Sequence, residues 1–211
     1  TVVLGRGAFS GATSLAEVKF GSGIKEIETE AFQGAGLKDL KLSSNIQSIG
    51  DSAFDGNLAL RTVQMSEGLK SIGTNAFRGS AINSLSIPNS VNQIRSGAFS
   101  DNLQMLSVTL PDSLTVIPDN LFANNTRLST VNMPSKLVSI GSEAFKNNSS
   151  LRNVTLPTSL LSIGNSAFEG VSSVTEISVP DSVRSIGARA FAEMKSMTKI
   201  YLSINVSTAP Q

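Results

Sequence analysis

Nine phenylalanines mark out this 211-residue chain at intervals of 22 or 23 residues: Phe9, Phe32, Phe54, Phe77, Phe99, Phe122, Phe145, Phe168 and Phe191. Self-similarity at a fixed period of roughly 20–50 residues is the signature of an array in which each unit buries its apolar face against the next. Only Phe20 falls outside the series, and every member but Phe122, which follows Leu121, is preceded by Ala.

Other columns keep the same register. Upstream of each Phe stands an aliphatic pair three residues apart, as in Ile46 and Ile49, Leu69 and Ile72, Leu137 and Ile140, or Leu160 and Ile163. Downstream runs Leu-x-x-Leu-x-Leu, seen in Leu60, Val63 and Met65 and again in Leu151, Val154 and Leu156. Prolines close that run at Pro88, Pro111, Pro134, Pro157 and Pro180. Glycine follows the second Ile at Gly50, Gly73, Gly141, Gly164 and Gly187, where Glu28, Arg95 and Pro118 stand in the other units.

The apolar–polar–apolar alternation of Val63-Gln64-Met65 or Val154-Thr155-Leu156 has the period of a β-strand. So short a strand cannot bury its apolar face alone, but stacked copies share one core. Parallel strands about 4.8 Å apart make nine repeats a solenoid roughly 40 Å long. Its interior is expected to hold the Phe column as an aromatic spine, beside an Ala small enough to let neighbouring coils approach. Pro after the strand ends the ladder, having no N–H to donate. The recurring Gly is expected in a turn of positive φ, a conformation that Pro118 excludes at its own position. One mild break in the pattern falls around Arg95 and Leu106.

Composition narrows the chemistry. With no Cys, His or Trp, the chain has no disulfide, no thiolate or imidazole metal site and no Cys–His or Ser–His–Asp machinery. A formal charge of +1 gives no general pull towards nucleic acid or anionic membrane, and no window approaches the ~18 apolar residues of a membrane-spanning helix. Asp101, Asp112 and Asp119 lie in neighbouring turns without calcium-loop spacing and read as a surface cluster. Sequons at Asn124, Asn147, Asn148, Asn153 and Asn205 are no more than so Asn-, Ser- and Thr-rich a chain yields by accident. The array opens at Leu4-Gly5-Arg6-Gly7-Ala8-Phe9 and closes after Leu202, inside a unit at both ends, and a fragment of a longer protein is expected.

Val154-Thr155-Leu156-Pro157 followed by Leu160-Leu161-Ser162-Ile163-Gly164-Asn165-Ser166-Ala167-Phe168 resembles the BspA-like, or Treponema pallidum-type, leucine-rich repeat. The resemblance covers essentially the whole chain. It implies a β-rich leucine-rich-repeat solenoid of about nine 22–23-residue repeats, with parallel strands on one face and short turns or strands and little helix elsewhere. The family often places Cys three residues after the Phe. Here that column reads Ala12, Ala35, Asn57, Ser80, Asn102, Asn125, Asn148, Val171 and Met194, and its four Asn are expected to satisfy turn backbone.

The resemblance further implies a cell-surface or secreted protein that adheres to host or microbial surface proteins, with no catalysis and no cofactor. The alternative is a structural spacer in a larger surface protein whose active domain lies elsewhere. The polar strand positions form two ladders on the expected concave sheet. One contains Glu17, Asp39 and Lys199, the other Lys19, Lys41 and Tyr201. With Arg61 and Arg152 beside them, these are the candidate partner-binding residues, charged towards the ends of the array and bland in its middle.

Overall fold

A computed structural model describes residues 2–202 and 207–208. The chain winds as a solenoid of parallel strands and turns, with no helix among the described residues. The Leu-x-x-Leu-x-Leu segments supply one ladder: Asp39–Lys41, Thr62–Gln64, Ser84–Ser86, Ser107–Thr109, Thr130–Val131, Glu176–Ser178 and Lys199–Tyr201. Side chains in it alternate as the period-2 reading requires, Leu40, Leu85 and Ile177 inward and their neighbours outward. A second parallel ladder forms from the residues around the second Ile of the upstream pair, including Ser48–Ile49, Ser71–Ile72, Ser139–Ile140 and Ser162–Ile163. The solenoid thus has strands on two sides, the second set very short.

The Phe column is the core's axis. Consecutive rings from Phe9 to Phe191 stack with centroids 5.1–6.0 Å apart. The seven from Phe32 to Phe168 are fully buried, while the terminal Phe9 is 43% exposed. Phe20, the ring outside the series, meets Phe32 edge-on at 6.0 Å. Beside the rings, the Phe N–H groups from Phe9 to Phe168 donate to the next coil, to an Ala carbonyl in all but one case, as in Phe54 to Ala76 and Phe145 to Ala167, both at 2.8 Å. Where Leu121 replaces that Ala the bond lengthens to 3.1 Å, and the Phe99–Phe122 spacing of 6.0 Å is the widest in the stack.

The asparagine column does what its position suggested. Asn57, Asn102, Asn125 and Asn148 are fully buried, and the Nδ2 of each donates to the carbonyl of the preceding coil's Phe at 2.8–3.0 Å. The sequon at Asn148 is therefore enclosed in the core, and the one at Asn205 lies outside the described residues.

The glycine column corrects the sequence reading. Gly50, Gly73, Gly141, Gly164 and Gly187 do not have positive φ; a Cβ on any of them would come within 2.4–2.6 Å of an atom of the preceding coil. They are present because backbone meets backbone there. Positive φ falls instead two residues later, at Ser52, Asn75, Asn120, Glu143, Ser166 and Arg189, and again two residues after the Phe. Many of these left-handed positions carry an Asn, Asp or Ser able to bond locally.

The breaks in the two ladders are staggered. The second ladder stops between Gln93–Ile94 and Val116–Ile117, where Arg95 and Pro118 occupy the glycine column. The amide of this column donates to the preceding coil's Ile carbonyl, as in Gly73 to Ile49 and Gly141 to Ile117, and proline has no such amide. At that junction the first ladder stays paired, Ser107 with Thr130 and Val108 with Val131. The first ladder in turn is interrupted after Thr62–Gln64 and after Thr130–Val131, where the second remains continuous.

Two outcomes test this packing. Phe145→Ala should cost about 3–5 kcal/mol, the usual range for a buried aromatic; a loss below ~1 kcal/mol in chemical denaturation would show that the ring is not core. Gly164→Ala, whose Cβ would sit 2.5 Å from the Ser142 amide, should lose at least about 1–3 kcal/mol to overpacking. Gly21→Ala, with open space around it and no positive φ, should be neutral or slightly stabilising, so equal losses at the two glycines would overturn the steric reading.

Candidate partner-binding surface

The outward side chains of the first ladder fall into the two columns read from the sequence. Asp39 stands opposite Thr62 and Lys41 opposite Gln64; at the other end Glu176 faces Lys199 and Ser178 faces Tyr201. Between them the columns carry Ser84, Ser107 and Thr130, then Ser86 and Thr109, small hydroxyls that leave the sheet uncharged.

The structure gathers four of the eight candidates. Glu17, Lys19, Asp39 and Lys41 line a groove of about 700 Å³ across the first three coils, together with Lys38, Phe20 and Leu42. Within it Lys19 lies 3.5 Å from Glu17, and Asp39 accepts the Thr62 hydroxyl. Arg61 is exposed but does not line the groove. Arg152 belongs to a separate depression of about 380 Å³ with Arg127 and Leu106. Lys199 and Tyr201 are exposed at the far end, Lys199 at 4.0 Å from Glu176. The eight residues therefore share one ladder and its margin but not one site.

Lys38 and Phe20 were missed. Lys38 shares its column with Arg61 and Arg152, which was the available signal. Phe20 occupies the last position of its Leu-x-x-Leu-x-Leu run, where the other units carry aliphatic residues.

Elsewhere several acidic residues are engaged one coil to the next. Asp119 Oδ1 accepts the Ser142 amide, and Asp101 Oδ1 accepts Asn124 Nδ2, so these two caps serve adjacent coils; no group of three or more His, Cys, Asp or Glu poised to hold a metal ion occurs among the described residues. Asp55, largely buried, takes two bonds from the Arg78 guanidinium at 2.9 and 3.0 Å, which holds Arg78 above its ordinary pKa. Glu169 is held down to about 2, first by its hydrogen bond from Arg189 at 2.7 Å and then by one involving Ser166.

This architecture defines a class: a leucine-rich-repeat solenoid that presents a regular strand ladder to solvent. The chain belongs to the family of the BspA type leucine rich repeat region, whose profile matches residues 1–106 and 93–211. A leucine-rich repeat protein from Bacteroides ovatus is similar to it with a TM-score of 0.85 at 25% identity, over 98% of this chain and 66% of that one. One from Eubacterium ventriosum gives 0.69 at 22% identity, over 82% and 44% respectively. A leucine rich cell surface protein from Faecalibacterium prausnitzii shares the fold with a TM-score of 0.50 at 20% identity, over 93% and 68%. The chain thus spans less than two thirds of the first two proteins. A search of the curated proteins finds no match. Proteins of this family and fold are generally binding scaffolds without catalysis, and no helix among the described residues is long and apolar enough to cross a membrane.

The Glu169–Arg189 pair sets a pH expectation. A carboxylate whose pKa is lowered on folding adds stability above its unfolded value and loses it as pH falls through the folded one. The contribution should fade between about pH 4.5 and pH 2, and Glu169→Gln should flatten that part of the melting curve. Parallel declines of the two proteins over this range would show that the pair contributes nothing.

Proposed function

We propose that this array is the protein-binding part of a cell-surface or secreted bacterial protein and attaches it to host or microbial surface proteins through the first ladder, with no catalysis of its own. The observation that carries the reading is the register of that ladder. Within each of its three paired blocks the outward columns repeat at one strand spacing from coil to coil, so an extended partner meets several coils at once and weak contacts add through effective concentration. Membership of a family of surface-type repeats supports the reading, as does the cell-surface description of the Faecalibacterium protein. Charged residues at the ends of the ladder select the partner, and the hydroxyl strip between them offers hydrogen bonds without charge conflict.

The test is binding to a panel of immobilised matrix proteins and bacterial surface proteins, measured by biolayer interferometry. Charge reversal at Lys19 and Lys41 combined with Tyr201→Ala should weaken capture about tenfold or more, equivalent to at least ~1.4 kcal/mol, while leaving the melting temperature nearly unchanged. Ser139→Lys with Ser162→Lys on the second ladder should leave capture intact. The reverse pattern would make the first ladder scaffold alone and place binding on the second; capture of no protein on the panel would make the array a spacer.

A further inference from the structure

We infer that the groove at the N-terminal end of the first ladder receives an acidic, extended segment of a partner protein, its carboxylates on Lys38 and Lys41 and an apolar side chain against the half-buried Phe20 and Val18. This rests on the reading of the first ladder as a protein-binding face and adds the chemistry of the partner.

The groove exists because the first coil does not join the ladder. The segment 17–20 is not paired with Asp39–Lys41, whose sheet contains only Thr62–Gln64 besides itself, and one backbone bond, Lys38 N–H to the Ala16 carbonyl at 3.1 Å, ties the two coils there. The opening lets the partly buried Phe20 ring form part of the wall, although its edge still rests on Phe32. Along the rest of the ladder the corresponding column carries no aromatic side chain: Leu42, Ile87, Leu110 and Val179 are closed into the core, and Met65 and Met133 are half-buried.

Charge selects the occupant. Five ionised side chains line the groove: Glu17 pairs with Lys19, while Asp39 accepts the neutral Thr62 hydroxyl and keeps its charge between Lys38 and Lys41. The ammonium groups of Lys38 and Lys41 are exposed, and among the described residues neither has an ion pair or a side-chain hydrogen bond. With Lys19 and Glu17 cancelling, Lys38 and Lys41 against Asp39 leave a net charge of +1 facing solvent, beside an apolar wall. A carboxylate approaching these two lysines gains attraction without having to displace an internal partner, whereas a cationic segment meets repulsion. The apolar wall favours a peptide with a hydrophobic side chain over a sulfated sugar, which has no apolar group of that kind to bury.

The experiment uses fluorescence anisotropy with a labelled peptide of alternating Glu and Leu, its Gln counterpart and a labelled heparin fragment. The Glu peptide is expected to bind saturably and to weaken about tenfold or more with K38E/K41E, with a smaller loss in K38Q/K41Q. Its affinity should also fall as salt rises from about 50 to about 500 mM. Equal binding of the Glu and Gln peptides, or an unchanged affinity in K38E/K41E with the fold intact, overturns the inference, as does tight heparin binding without peptide binding. The matrix-protein panel separates this failure from failure of the broader reading. If Thr109→Arg with Asn132→Arg abolishes capture and K38E/K41E does not affect it, the ladder binds protein but not by this groove. If neither pair affects capture, both readings fall.

Discussion

Everything in this molecule depends on holding each coil one strand spacing from the next. Parallel strands pair at about 4.7–4.9 Å, and that distance must be kept at the first ladder, at the second ladder and at the Ala-Phe turns of the same coil. Phe packs as a continuous stack because every coil offers a ring at one height. Ala precedes it, and at Gly50, Gly73, Gly141, Gly164 and Gly187 a Cβ would meet the backbone of the preceding coil, although Glu28 and Arg95 hold the same column elsewhere and stay paired to theirs. Leu121 shows the consequence of a larger residue before the Phe: it is fully buried, and the rings beside it are the most widely separated of the series.

The same constraint governs polar groups in the interior. Packing coils this closely encloses carbonyls that no strand partner reaches, and enclosed backbone groups require hydrogen bonds. The buried asparagines supply them to the Phe carbonyls of the preceding coil, and Asp51, Asp119 and Asn165 do the same for amides of the following coil near the surface. Staggering of the ladder breaks follows a similar logic. Pro118 removes one coil-to-coil bond on the second ladder, while Ser107 and Thr130 keep the same two coils joined on the first.

The surface is varied by departures from this regularity. Where the repeat is faithful, in the middle of the first ladder, the surface is small and uncharged. Where it lapses, at the unpaired 17–20 segment, a groove opens with an aromatic wall and free cations. A second lapse lies on the other ladder. From the coil of Pro118 onward its outward face carries Val116, Val138 and Leu161, all exposed, where Glu26, Gln47 and Lys70 hold the equivalent region nearer the N-terminus.

The sequence by itself determined the number of coils, the inward columns and the register of the outward ladders. Those follow from spacing: Phe recurring every 22 or 23 residues and alternation with the period of a strand leave one way to stack the units. It also located the asparagines that close the turns, because a small polar residue in an otherwise apolar column needs backbone to bond. What only the tertiary structure decided are the contacts between coils. Gly164 looked like a turn residue and proved to be a place where two backbones touch, since the clash that excludes a Cβ comes from the previous coil. Lys19 and Lys41 were equal in the sequence; Glu17 engages one and leaves the other free. Lys38 and Phe20 entered the groove because the first coil fails to pair, and hydrogen bonds across that gap depend on the positions of residues more than twenty apart, which no column of letters records.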